Sequence, residues 1–380
     1  MSDLKIEGLP KGNLPSVNNL TDIFVNDIPL LDVRAPVEFN QGAFPNSVNI
    51  PLMNDAEREA VGIRYKEQGQ DSAIVLGSKL VTPEIRERRT QKWNRFFSDN
   101  PNGVLYCFRG GLRSQISQQW IADSLEDGQQ PFPRVDGGYK AMRTFLIQSI
   151  ERISQKIPVI VLGGRTGSGK TRLLKQLPNS IDLEGLANHR GSAFGPTATP
   201  QPTPINFENA LAVQLLKAEA AGHKFLVVED EARNVGSVGI PQAFFDVMQT
   251  SKLVMLEVSQ EERNKVSIEE YILDTQHSFN EVYGEELGAE KLSEHLINSL
   301  GKIQKRLGGV RYKEALTQME EAITLRNKTG SVEGFIPLVK SLLIDYYDPM
   351  YDYQSAKKKD RISFKGSYDE VISYLKTLDY

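Results

Sequence analysis

Along the first part of the chain, short apolar runs alternate with longer stretches in which apolar residues recur at helical spacing. Ile28-Pro29-Leu30-Leu31-Asp32-Val33-Arg34 and Gly103-Val104-Leu105-Tyr106-Cys107-Phe108 each predict a buried strand that ends in a charged or reactive residue. Near-continuous apolar runs of this kind mark strands covered on both faces, as in a parallel sheet. Residues 54–98 have a different texture. They are dense in charge (Glu84, Arg86, Glu87, Arg88, Arg89, Lys92, Arg95) with spaced apolar positions, which predicts helices inserted into the first domain. A solvated helix face is the plain reading of such a run. Ser114 opens a helix with Ile116, Trp120, Ile121 and Leu125 on one face, closed by Gly128.

The pattern restarts after the linker Ile153-Ser154-Gln155-Lys156-Ile157-Pro158. Val159 to Leu162 predicts a strand and Leu173, Leu174 and Leu177 the helix after it. Ser180-Ile181-Asp182-Leu183-Glu184 reads as a further strand, and Pro196 to Pro204 as a stiff connector. Phe207, Leu211, Leu215 and Leu216 mark a helix that Gly222 ends. Phe225 to Val228 and Leu253 to Val258 predict two more strands, and the remainder from about Glu261 reads as helices. Alternating strands and helices predict the α/β class. At 380 residues the chain exceeds one ordinary core. Two domains are therefore expected: 1–152, with the helical insertion at about 54–98, and 153–380, with a helical C-terminal extension.

Composition narrows the picture further. With 39% hydrophobic and 25% charged residues, no run approaching a membrane span and no signal-peptide core in Met1 to Lys5, a cytoplasmic protein is expected. A formal net charge of −4 restricts nucleic-acid binding to local basic patches. Candidates are Lys302, Lys305, Arg306, Arg311 and Lys313, and the tyrosines of Asp345 to Gln354 followed by Lys357-Lys358-Lys359. Tyrosines beside lysines can stack on and neutralise RNA, or pack as an ordinary amphipathic corner; the residues leave both readings open.

The strongest chemical signal is Gly164-Arg165-Thr166-Gly167-Ser168-Gly169-Lys170-Thr171, a complete phosphate-binding loop between an apolar strand and a helix. Its glycines let successive N–H groups face one point, Lys170 can reach an outer phosphate, and the Thr171 hydroxyl can hold magnesium. Glu229-Asp230-Glu231 ends the strand Phe225–Val228, where Asp230 is the expected second magnesium ligand. Arg190 and Arg233 are candidate ligands of the same anion, whereas His189 reads as a hydrogen-bonded loop residue. Cys107, the single cysteine, lies in Cys107-Phe108-Arg109-Gly110-Gly111-Leu112-Arg113. Backbone N–H groups, a helix start and the guanidinium groups of Arg109 and Arg113 each stabilise a thiolate or an oxyanion, so a reactive thiol is expected. The spacing Cys107 to Arg113 also fits the nucleophile loop of a cysteine phosphatase.

Asp32-x-Arg34-x-Pro36-x-Glu38-Phe39, Gly42 to Pro51, Cys107-x-x-Gly110-Gly111-x-Arg113-Ser114 and Val135-Asp136-Gly137-Gly138-Tyr139 together resemble a rhodanese domain. That family moves sulfur or selenium through a cysteine persulfide-type intermediate, with Asp32 and Arg34 bracing the fold. The expected fold class is therefore α/β: a rhodanese-like parallel-sheet domain, then a P-loop NTPase-like domain with its helical extension. Adding Asp182-Leu183-Glu184-Gly185-Leu186-Ala187-x-His189-Arg190-Gly191-Ser192, Glu229-Asp230-Glu231 and Tyr346-Tyr347-Asp348-Pro349-Met350-Tyr351, the chain resembles the tRNA 2-selenouridine synthase family end to end. Ala232, where a serine is expected, and Val258-Ser259 depart from that pattern. The resemblance implies a transferase acting on 2-thiouridine at the wobble position of tRNA. Sulfur is first alkylated from geranyl diphosphate, and the S-geranyl group is then replaced by selenium from selenophosphate. Magnesium, the tRNA anticodon loop and the enzyme that supplies selenophosphate are the implied cofactor and partners. Competing readings are the phosphatase, an ATP-driven sulfur relay, and a non-enzymatic binding module.

Overall fold

A computed structural model of the chain describes residues 9, 10, 12 and 14–378. It packs as two units, one formed by residues up to 150 together with 208–220, the other by 151–207 together with 221–380.

The first unit is built on five strands: β1 (Ser16–Val17), β2 (Leu30–Asp32), β3 (Ser47–Asn49), β4 (Val104–Tyr106) and β5 (Arg134–Val135). Their order is β1-β5-β4-β2-β3 and every pairing is parallel. β2 and β4, at the centre, are buried at every residue, as the apolar runs require. Leu30 sits opposite Val104 and Asp32 opposite Tyr106. The charged insertion forms the helices Asp55–Leu80 and Pro83–Asp99. The second is more than a solvated face. Its Trp93, Phe96 and Phe97 recur at helical spacing and join Leu31, Leu105, Trp120 and Ile121 in the core. The indole N–H of Trp93 donates to the Ile50 carbonyl at 2.8 Å. The first is mostly solvent-facing and is interrupted at Gly69, whose φ of 81° leaves the helical region. Residues 208–220 belong to the helix Pro204–Ala220. Within the first unit Asn209, fully buried, donates to the Ala43 carbonyl at 2.7 Å and accepts from Arg143 at 2.7 Å, while Lys217 pairs with Asp27 at 2.5 Å.

The second unit has a parallel sheet of β6 (Val159–Gly164), β7 (Ser180–Ile181), β8 (Leu226–Glu229), β11 (Lys252–Leu256) and β12 (Ile362–Gly366). The order is β12-β11-β6-β8-β7. A small antiparallel hairpin, β9 (Asn234–Val235) and β10 (Val238–Gly239), follows β8. The helical extension has its own core. Leu292, Leu296, Leu300 and Ile303 of the helix Glu285–Leu307 pack with Ala315, Met319, Ala322 and Ile323 of Gly309–Thr329.

Three elements differ from expectation. The helix Leu112–Ala122 starts before Ser114 because Gly111 caps it, and it stops short of Leu125 and Gly128. The strand at Ser180 is cut to two residues because the Asp182 carboxylate accepts from the Gly185 N–H at 2.6 Å and starts the short helix Leu183–Leu186. The stretch expected to be all helical contains β12, parallel to β11, whose Ile362 and Phe364 alternate with exposed residues. Among the described residues no helix is long and apolar enough to cross a membrane.

Candidate functional site

Both candidate loops leave the C-terminal ends of central strands, the edge at which open parallel sheets bind ligands. In the first unit the chain passes from β4 through Cys107 to the helix Leu112–Ala122. Gly110 (φ 65°) and Gly138 (φ 56°) lie in the left-handed region, and both bring backbone against backbone. A Cβ on Gly110 would lie 2.8 Å from the Gly137 nitrogen, and one on Gly138 would collide with the Cys107 carbonyl. The Tyr139 N–H donates to that carbonyl at 2.9 Å and the Lys140 N–H to the Phe108 carbonyl at 3.0 Å, so the loop after β5 holds the cysteine loop in place.

The Cys107 thiol is buried and donates to the Ser114 hydroxyl at 3.2 Å, which in turn donates to the Gly111 carbonyl at 2.9 Å. Ser114 is thus the polar side chain in contact with the sulfur, and a hydroxyl can reverse to donate to a thiolate. The expected guanidinium contacts are not made. Arg113 forms a two-point pair with Glu38 at 2.6 and 3.1 Å, and Arg109 lies over the Phe108 ring with its guanidinium 5.8 Å from the ring centre. Burial alone would raise the Glu38 pKa; hydrogen bonds from Arg113 outweigh it and hold the carboxyl below its usual range. A phosphatase loop would need Arg113 free for phosphate, and here a carboxylate occupies it. Asp32 and Arg34 form a buried pair at 2.6 Å, with Arg34 also donating to the Gly42 carbonyl at 2.8 Å. Beside the sulfur lies a cavity of about 820 Å³ lined by Cys107, Arg109, Gly111, Arg113 and the inserted helix Asp55–Leu80. Arg109 and Lys140 also line a second, open cavity of about 680 Å³.

In the second unit, β6 runs into Gly164 and the loop closes at Gly169, whose φ of 78° caps the helix Lys170–Leu174. That helix has only five residues, so the loop amides, rather than a long helix dipole, form the cradle. Gly167 (φ 77°) packs against the helix Gln260–Ile268: a Cβ there would collide with the Ser267 hydroxyl and lie 2.9 Å from the Arg263 carbonyl. Lys170 Nζ donates to the Gly164 carbonyl at 3.0 Å. The hydroxyls of Ser168 and Ser267 are buried at the loop without a hydrogen-bond partner in the protein.

Thr171 Oγ1 donates to Glu229 at 2.8 Å and reaches Glu184 at 3.4 Å. The carboxylate expected at Thr171 was that of Asp230; the structure places Glu229 there, and Asp230 binds Lys358 at 2.7 and 2.8 Å. The reason lies in strand direction, since Glu229 is the last residue of β8 and is fully buried. Burial, with Glu184 alongside, holds the Glu229 carboxyl well above its usual range. Glu231 is pushed up to about 8 by burial and by Glu184, with Lys170 acting in the opposite direction. Among the described residues no three carboxylate, imidazole or thiol groups converge as a metal cage.

The arginines expected at the phosphates have protein partners. Arg165 pairs with Asp352 at 2.6 Å and Asp348 at 3.4 Å; Arg190 donates to Thr275 at 3.0 Å; Arg233 lies over Phe245. Burial lowers the His189 pKa, and its Nδ1 is buried without a partner. The loop's main support is a residue that sequence reasoning passed over. Arg263 is 2% exposed, donates through Nε to the Thr166 carbonyl at 3.0 Å, and binds Asp348 at 2.6 and 3.0 Å. In Gln260-Glu261-Glu262-Arg263 it looks like one charge among several on a solvated helix start. The tyrosine stretch divides: Tyr347 joins the helical core, whereas Tyr353 is exposed with Lys357 Nζ 4.3 Å from its ring centre.

A single-thiol loop on one parallel sheet and a phosphate-binding loop on another define a two-unit α/β protein that joins a rhodanese-like half to a P-loop half. The family described as "tRNA 2-selenouridine synthase AAA domain" matches residues 157–379. Over 353 residues the chain is 49% identical to the tRNA 2-selenouridine synthase of Pseudomonas syringae pv. tomato, spanning 93% of this chain and 95% of that one. It is 49% identical to the protein of that name from Pseudomonas fluorescens (95% and 97% covered) and 47% identical to the one from a Sulfurovum species (96% and 98%). The chain belongs to the tRNA 2-selenouridine synthase family.

Proposed function

We propose that the chain converts 2-thiouridine at the tRNA wobble position to 2-selenouridine in two steps. The sulfur first displaces diphosphate from geranyl diphosphate; selenium from selenophosphate then replaces the S-geranyl group. A thione is a poor leaving group and an alkylated sulfur a good one, so the first step enables the second. In the second, the C2–S bond breaks and a C2–Se bond forms. S-geranyl-2-thiouridine, selenophosphate and water give 2-selenouridine, geranylthiol and phosphate, with no net oxidation or reduction.

The reading rests on one observation above all: a buried thiol in a backbone-lined loop and a phosphate loop with two unpartnered buried hydroxyls occur in the same chain. The amides of Gly164 to Thr171 and Lys170 hold the diphosphate, with Arg165, Arg190 and Arg233 as further ligands once released from their protein partners. Thr171 and Glu229 suit a magnesium ion, which keeps most of its water and needs few protein ligands. Bound there, the ion would supply neutralising charge to the diphosphate. Cys107 serves the selenium step, with Arg109 and the Gly110-Gly111 amides attracting the selenium-bearing anion and Arg113, held by Glu38, bracing the loop. The target base lies in an anticodon loop, where a single-stranded base can leave its stack at modest cost.

The test is mass analysis of tRNA nucleosides after incubation with both donors and with each omitted in turn. Geranyl diphosphate alone should give the S-geranyl nucleoside, and both donors together the seleno nucleoside. A thiolated tRNA left unaltered by both would overturn the reading.

A further inference from the structure

The cavity beside Cys107 is larger and more apolar than a site for selenophosphate alone requires. Its volume is about 820 Å³, within the range of roughly 300–1,000 Å³ typical of small-molecule sites. Val61, Ile74 and Val81, from the inserted helix Asp55–Leu80 and the residue that follows it, line it together with Ile116 and Trp120 from behind the cysteine loop. Gly62 and Gly77 stand in the same wall: a Cβ on Gly62 would meet nothing within 4 Å, and one on Gly77 only Val61, at 3.8 Å. Ile63 and Tyr65, also in the lining, are 50% and 57% exposed and extend its apolar surface. Arg58, Lys66, Arg109 and Arg113 are basic members of the lining, against one acid, Glu59. An apolar chamber with cationic groups and a thiol in one wall fits a ligand that is anionic at one end and hydrocarbon at the other.

We propose that this cavity receives the ten-carbon isoprenoid chain of the S-geranyl nucleoside, holding it beside Cys107 while selenium displaces the sulfur, and that it retains the chain as geranylthiol leaves. The proposal deepens the function set out above and rests on it. Burying one methylene is worth roughly a fourfold gain in affinity, so even partial burial of the chain separates a geranyl from a methyl thioether by more than tenfold. The inserted helix thereby acquires a role: it supplies the apolar wall.

The test uses the full-length enzyme and anticodon stem-loop RNAs carrying S-methyl, S-prenyl (five-carbon) or S-geranyl 2-thiouridine, with selenophosphate as donor. For the unaltered enzyme kcat/KM should rise with chain length, by at least tenfold from methyl to geranyl. In the Gly62→Leu/Gly77→Leu double variant, which fills the wall and favours helix over glycine, the geranyl-to-methyl ratio should fall at least tenfold. Equal turnover of all three thioethers by the unaltered enzyme overturns the proposal without touching the parent reading. So does a filled variant that keeps the full preference for geranyl. If the unaltered enzyme forms no seleno nucleoside from any of the three, the parent reading fails and takes the proposal with it.

Discussion

Replacing Asp348 by alanine should damage the phosphate loop from a distance. The Arg263 guanidinium is 2% exposed and Asp348 is its carboxylate, held by hydrogen bonds of 2.6 and 3.0 Å with side-chain exposures of 3% and 13%. Removing one partner of a pair this buried leaves an uncompensated charge, at a cost of about 3–5 kcal/mol. The Arg165–Asp348 contact, 3.4 Å long from an arginine 43% exposed, adds little. For a unit of this size the loss corresponds to a Tm lowered by roughly 10 °C. A functional effect should accompany it. Arg263 Nε holds the Thr166 carbonyl at 3.0 Å, so an arginine drawn toward water releases the loop and raises KM for the prenyl diphosphate. Thermal unfolding at neutral pH measures the first effect and single-turnover geranylation across donor concentrations the second. Asp348→Asn, which keeps one acceptor oxygen, should fall between wild type and alanine on both. A loss below about 1 kcal/mol for Asp348→Ala, with KM unchanged, would refute the assignment of this pair as the loop's support.

Three further predictions test the two halves separately. Cys107→Ala should abolish selenium incorporation while S-geranyl nucleoside still accumulates, as nucleoside mass analysis would show; equal loss of both products would mean one shared site. Lys170→Ala should lower geranylation by about two orders of magnitude or more, while selenium exchange on a presynthesised S-geranyl RNA persists. Glu38→Gln should lower stability at neutral pH and cease to matter at acid pH. The folded Glu38 carboxyl lies below its ordinary value of 4.5, so its contribution is present above that pH and lost as pH falls through the folded value. Melting curves between pH 3 and 6 should show the wild type losing Tm more steeply than the variant; parallel curves would count against the Glu38–Arg113 pair.

Both loops were legible in the sequence because each is a local motif, with glycines at positions that need positive φ or close backbone approach. Gly110, Gly167 and Gly169 are examples. What escaped is non-local. Arg263 and Asp348 are 85 residues apart, and Glu38 and Arg113 are 75 apart. A pairing across such distances leaves no periodic trace in either neighbourhood. β12 escaped for another reason: an edge strand with only Ile362 and Phe364 turned inward, directly after a charged run from Lys357 to Arg361, carries too little apolar signal. The choice of Asp230 over Glu229 failed by one residue, since neighbours on a strand point to opposite faces and only the fold decides which acid reaches Thr171. Along the helix Pro83–Asp99 the charges dominated the eye, although Trp93, Phe96 and Phe97 already marked the buried stripe.

The helix segment 208–220 has a consequence for how the protein is made. Asn209, which caps the Ala43 carbonyl and receives Arg143, is translated well after residue 150. At roughly 5–20 residues per second the ribosome needs several seconds to deliver it. Until then the Ala43 carbonyl, Arg143 and Asp27 of the nascent first unit lack the partners that this segment brings. A fragment ending near residue 150 would stay in that condition permanently.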